Sequence, residues 1–190
     1  HLSRNDMNEA PRSRLRIAHV LLTARFAGSE RQAVELANRQ VERHAVAMVL
    51  SERAAEDRPD AWAHRLDPRV EQVRLGRWRP LWPWQVRNVL QRWRPDVAHA
   101  HLSAGCRALR AWRHSALRVA TLHIHYKPQQ HEGLDALIAI APWQLEAIPA
   151  PIHEHCVVIP NASNPVPPAP GARARLRASL GITEADFLVG

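Results

Sequence analysis

Cysteine is scarce. Cys106 and Cys156 are the only two, 50 residues apart and in no CxxC spacing. That argues against a disulfide framework and for a reduced, cytosolic chain. Lysine is scarcer still, with Lys127 alone, so the formal charge of +8 comes almost wholly from arginine. Such a balance favours anionic partners: phosphates, nucleic acid or an acidic membrane surface. Long apolar runs are missing. The longest, such as Leu134–Ala141, are far too short to cross a bilayer. The first dozen residues have no apolar stretch and read as no signal peptide. His1–Asp6, ahead of Met7, reads as a tag remnant, and residues 1–13 as a disordered lead. Neither GxGxxG nor GxxxxGK[ST] occurs, so neither phosphate-binding fingerprint is available.

The remaining chain, of 190 residues in all, suffices for one core or for one domain plus a fragment. Leu15–Leu22 is an apolar run that reads as a buried parallel strand. Ser29 is the expected N-cap of the helix after it, with Gln32 three residues on and Glu30–Glu42 at helical spacing. His44–Leu50, Val70–Leu75, Asp96–His101, Arg118–Leu122, Leu134–Ile140 and Cys156–Ile159 read as further strands. Leu81–Trp93, Ala104–His114 and Pro142–Ile148 read as helices, the last begun by proline. About six alternations of strand and helix predict an α/β fold, a Rossmann-like doubly wound parallel sheet. Ligands on such sheets bind at the C-terminal ends of the strands, near the switch in strand order. Pro160–Gly171 is proline-rich without periodicity and reads as a hinge. Ala172–Leu180 is helix-like and Asp186–Gly190 strand-like, so the chain is expected to stop inside a second domain. That divides it into 14–160, a hinge at 161–171, and the start of another domain at 172–190.

Three segments carry chemistry. Phe26-Ala27-Gly28-Ser29-Glu30 lets the backbone turn sharply and offers helix N–H groups to an anion. A plain strand–helix turn explains the same residues. His99-Ala100-His101 and His123-Ile124-His125 each place two imidazoles on one side of a strand end. A metal site is one reading. A catalytic cleft, in which one histidine bonds substrate and others such as His99 pack in the core, is the other. Asp96 and Asp135 sit at strand starts, the wrong end for completing a metal site. Arg74–Arg94 holds six arginines, four tryptophans and no acid. It suits a membrane interface, a single-stranded nucleic acid, or a sheet-covering helix with tryptophans inside. Trp78 and Trp84, beside prolines, fit a core least.

Taken in order, these segments resemble the N-terminal domain of the retaining glycosyltransferase family 4 of the GT-B superfamily. Gly28-Ser29-Glu30-Arg31-Gln32-Ala33-Val34 is similar to that family's Gly-Gly-x-Glu helix start, with Ala27 in place of the first glycine. Arg94–His101 is similar to its "PDVVHAH" strand. Ala120-Thr121-Leu122-His123 is similar to the strand end that keeps a histidine in the cleft. Leu134–Ala139 before Pro142, and Val157–Asn161 at the hinge, complete the ordered set over residues 15–190. The resemblance implies hexosyl transfer from a nucleotide-sugar to an acceptor, with retention, without a metal and without a further cofactor. It implies a donor site on a second domain, so this chain would be inactive alone. Gly28 and Ser29 would sit by the donor phosphates and His123 near the donor sugar as the catalytic residue. His101, His125, Tyr126 and Lys127 would border the acceptor, a glycan or lipid-linked group in cell-envelope polysaccharide or lipopolysaccharide assembly. Arg74–Arg94 would then lean on an anionic membrane, placing a bacterial cytoplasmic protein peripherally on the inner membrane, with no nucleic acid expected. A metal-dependent hydrolase using His99, His101, His123 and His125 is the alternative, and a basic nucleic-acid-binding module the third reading.

Overall fold

The computed structural model describes residues 14–112, 116–162 and 167–188. The lead at 1–13, the expected last residues of the helix ending at His114, part of the hinge (163–166) and the final two residues lie outside the described residues.

In chain order the elements are β1 (Arg16–Leu21), α1 (Gly28–Gln40), β2 (Ala45–Ser51), β3 (Glu71–Leu75), α2 (Trp82–Trp93) and β4 (Val97–His101). There follow α3 (Leu102–Arg110), β5 (Leu117–Leu122), α4 (Pro128–His131), β6 (Ala136–Ala139), α5 (Ala150–His153), β7 (Cys156–Val158) and α6 (Ala172–Ser179). The strands form one sheet in the order β3-β2-β1-β4-β5-β6-β7, every pair parallel. Strand order reverses between β1 and β4. That is the switch point at which such sheets open a crevice.

Alternate residues of each strand serve opposite faces. Ala18, Val20, Ala98, Ala100, Ala120 and Leu122 pack with Val86 and Leu90 of α2 and Leu109 of α3. On the other face Val46, Met48 and Leu50 pack under Ala33, Val34 and Ala37 of α1, with Trp62 behind them. The small side chains of β4 let α3 come close. A Cβ on Gly105 would collide with the Val20 carbonyl, so only glycine allows this approach of α3 to β1.

Helix ends explain most boundary differences. α2 stops where Arg94 turns left-handed (φ 51°) ahead of Pro95, a position from which a helix does not continue. Ser29 is not the N-cap. α1 begins at Gly28, and the Glu30 carboxylate accepts the Ala27 N–H at 3.2 Å. The reach-back glutamate therefore orders this end, as half of a capping box. α3 starts directly on β4, with Leu102 at φ 58°. Pro142–Ala147 winds as a 3-10 helix. Asp186 is not the start of a strand: its carboxylate accepts the Thr183 hydroxyl at 2.7 Å, closing a turn, and Phe187 is 93% exposed.

The expected strand-start aspartates are structural. Asp96 accepts the Arg16 N–H at 2.7 Å. Asp135 takes the Arg118 guanidinium through both oxygens, at 2.8 and 3.0 Å. That pairing holds the Asp135 carboxyl below its usual range. Both stitch the N-terminal edge of the sheet and leave the other edge for ligands.

Candidate functional site

The loops after β1 and β5 and the start of α3, directly after β4, meet at the C-terminal edge of the switch point. After β1 the chain runs through Thr23–Ala27 to α1, held by the Phe26 N–H on the Asp60 carbonyl at 2.9 Å. The Trp62 indole N–H on the Thr23 carbonyl, at 3.1 Å, holds it too. Gly28 stands in the first turn of α1, where N–H groups lack helical partners. A Cβ there would meet nothing within 4 Å. Ser29 is half-buried beside it.

Next to this helix end lies a line of imidazoles. Register pairs His19 of β1 with His99 of β4, and both share the α1 face with His101. The Gln40 side-chain carbonyl, from the last turn of α1, lies 2.6 Å from His19 Nε2. His19 Nδ1 is 3.0 Å from His101 Nε2, and His101 Nδ1 is 3.3 Å from His123 Nε2. His99 Nε2 meets the Thr121 hydroxyl at 2.8 Å, with its ring 4.3 Å from that of His101. The line thus climbs from the middle of the sheet to the rim.

Burial favours the neutral form of these rings. It pushes His19 down to about 4 against a raising hydrogen bond from Gln40. It pushes His99 and His101 well below the ordinary histidine range, with neighbouring imidazoles adding to the effect. His123 is half-buried and is also lowered by burial, while the Glu30 carboxylate opposes the shift. Glu30 is itself buried.

The sequence-expected residues divide accordingly. His123 lies at the rim, lining a groove of about 560 Å³ between α1 and the strands β4–β6. His101 is buried behind it. His125 is exposed and edge-on to Trp143, with centroids 5.1 Å apart. Tyr126 packs in the core against His131, and burial raises its phenol. Lys127 is exposed, and its backbone N–H binds His131 Nδ1 at 2.9 Å. Of the four residues expected to border an acceptor, His125 and Lys127 are at the surface, and His101 and Tyr126 lie beneath it.

The three residues whose ring nitrogens come within 4.8 Å of one another are His19, His99 and His101. They form the one such group among the described residues. Hydrogen bonds within the fold already engage them: His19 bonds Gln40 and His101, His101 also bonds His123, and His99 bonds the Thr121 hydroxyl. The hydrolase reading needed His125 in the set, and His125 stands apart. Sequence reasoning missed His19 and Gln40. The available signal was that His19 interrupts an otherwise apolar buried stretch, Ile17–Leu21.

A second cleft, of about 710 Å³, opens on the α3 side of the rim. Arg25, Arg53, Arg58, Arg79 and Arg107 line it, with Trp82 and Glu30. Asp60 pairs with Arg25 and Arg58 at 3.3 and 2.9 Å. Trp82 is buried, and its indole N–H binds the Gly76 carbonyl at 2.8 Å. Trp78 and Trp84 are 65% and 61% exposed. The Arg74–Arg94 segment is therefore both things: a sheet-covering helix inside and an arginine-and-indole tip outside.

An all-parallel doubly wound sheet with its loops gathered at one rim defines a Rossmann-like α/β lobe. The Glycosyltransferase Family 4 model matches residues 26–186, and the chain belongs to that family. Solved structures agree in fold. The Anabaena protein Alr3699/HepE in complex with UDP and glucose superposes with a TM-score of 0.59 at 16% identity, over 88% of this chain and 50% of that one. A glycosyltransferase from Rickettsia africae ESF-5 gives a TM-score of 0.65 at 13% identity, over 91% and 51%. The lipopolysaccharide outer core galactosyltransferase WaaB in its apo form gives 0.53 at 13% identity, over 82% and 47%. This chain spans about half the length of each. No curated protein matches it.

Proposed function

We propose that this chain is the acceptor-side lobe of an enzyme that moves a hexosyl group from a nucleotide-sugar to an acceptor. The observation that carries the reading is the family match over residues 26–186 on a lobe where the first turn of α1 reaches His123 through the Glu30 carboxylate. Residues 14–160 form the lobe, 161–171 a hinge, and 172 onward the beginning of the donor-binding domain. A UDP-sugar is the donor class, by analogy with the Anabaena structure that holds UDP and glucose. Gly28 and Ser29 meet the donor phosphates, because helix N–H groups attract anions. His123 is the catalytic residue beside the donor sugar. His125 and Lys127 meet the acceptor, with His101 and Tyr126 supporting them from below.

Transfer proceeds with retention and without a metal or further cofactor, the lobe's fixed dipoles and the donor domain together offsetting charge at the leaving phosphate. The acceptor belongs to envelope polysaccharide or lipopolysaccharide assembly, as the WaaB likeness suggests. No helix among the described residues is long and apolar enough to cross a membrane. Exposed Trp78 and Trp84 beside arginines support peripheral contact with an anionic cytoplasmic leaflet. A protein in which this lobe is joined to its donor domain should transfer sugar from a UDP-sugar panel with retained anomeric configuration in excess EDTA. The lobe alone should not turn over. Inversion, or activity that EDTA abolishes, would refute the corresponding part.

A further inference from the structure

The line from Gln40 to His123 has a direction, and the direction follows from one atom. The Gln40 side-chain carbonyl oxygen can only accept. His19 Nε2, 2.6 Å away, must then carry the hydrogen. A neutral imidazole carries one, so His19 Nδ1 is bare and accepts from His101 Nε2 at 3.0 Å. His101 Nδ1 is bare in turn and accepts from His123 Nε2 at 3.3 Å. His123 therefore presents an unprotonated Nδ1, which makes no hydrogen bond among the described residues.

We infer that Gln40, His19 and His101 are positioning residues which hold His123 as the neutral Nε2–H tautomer, leaving Nδ1 to accept a hydrogen bond from a ligand hydroxyl. The line does not relay protons to solvent, because an amide carbonyl at its inner end takes up no proton. Its role is to fix orientation and polarity, as outer partners do for functional imidazoles elsewhere. The groups facing the line support a neutral state. His99 lies against both His19 and His101, with centroids 5.2 and 4.3 Å away, and is bonded to Thr121. Among the described residues, the Glu30 carboxylate of α1 is the anion that acts on His123. A bare nitrogen repels phosphate and carboxylate oxygens and selects a hydrogen-bond donor. This rests on the sugar-transfer reading only for the identity of the ligand: at His123 it predicts a neutral hydroxyl of the sugar, with the anionic phosphates held elsewhere on the rim.

Two-bond proton–nitrogen NMR of the ¹⁵N-histidine-labelled chain reads each tautomer directly and is independent of activity. At pH 7, His19, His101 and His123 are expected as neutral Nε2–H forms. His123 as Nδ1–H, or charged, overturns the inference. Gln40→Lys replaces the terminal acceptor with a donor, so His19, His101 and His123 should all invert to Nδ1–H. Inversion at His19 with His123 unchanged breaks the coupling. An unchanged His19 shows that the Gln40 carbonyl does not set the polarity. Either result overturns the assignment, and the wild-type spectrum decides the first point even if the variant does not fold. Failure here leaves sugar transfer standing, and failure of sugar transfer leaves the tautomers standing.

Discussion

Acidification should unfold this protein earlier than its carboxylates alone would. His19, His99, His101 and His131 are buried and neutral, and His19 and His131 are lowered to about 4. For His99 and His101 the displacement is downward as well, again from burial first. In the unfolded chain each returns to its ordinary value of 6.5. Because the folded values lie below the unfolded one, the stabilisation is complete above pH 6.5 and is lost as pH falls toward 4. At pH 5.5 an unfolded histidine is about nine-tenths protonated, which costs the fold on the order of 1 kcal/mol for each buried neutral ring. Four such rings amount to a few kcal/mol, on the order of 4, a large share of a typical domain stability of about 5–15 kcal/mol. Urea unfolding followed by tryptophan fluorescence at pH 7.5 and 5.5 measures the difference. A change of less than about 1 kcal/mol, or a gain in stability, would refute the claim that the rings are buried uncharged.

Other expectations concern packing and pairing. Gly105→Ala should destabilise by about 1–3 kcal/mol, because the clash is with backbone that cannot yield, while Gly28→Ala, with open space around it, should be neutral or slightly stabilising; equal effects in thermal melts would contradict the close approach. Asp135→Ala takes the carboxylate from the Arg118 guanidinium, which keeps the Trp112 carbonyl, and should cost about 1–2 kcal/mol because Asp135 is itself partly exposed; a neutral melt would show that the pair contributes nothing. Replacing Trp78 and Trp84 together by serine should leave stability within about 0.5 kcal/mol and weaken sedimentation with anionic vesicles; undiminished vesicle binding would remove these indoles from the membrane reading.

The alternation of apolar strand and amphipathic helix made the layered parallel fold legible, because buried parallel strands read as continuous apolar runs. The motif residues Gly28 and His123 also fall on the expected rim. What stayed hidden depends on three-dimensional adjacency. His19 pairs with His99 only because β1 lies beside β4, a neighbour relation that chain order does not state. Gln40 reads as one more polar residue in the last turn of α1 until that helix is laid on the sheet. Ser29 looked like a cap because serine commonly is one, yet Glu30 supplied the contact instead. The tail at Asp186 read as a strand from composition, but among its described residues a local turn with Thr183 prevails.

The central claim is that His123 stands at the reacting sugar in an enzyme of which this chain is one lobe. Steady-state sugar transfer by the lobe joined to its donor domain, comparing wild type with His123→Ala, tests it most directly. The account expects kcat to fall by about 10²–10³-fold, the cost of losing one well-placed group at the transition state, with the melting temperature unchanged within a few degrees. Undiminished turnover in a folded variant would contradict it.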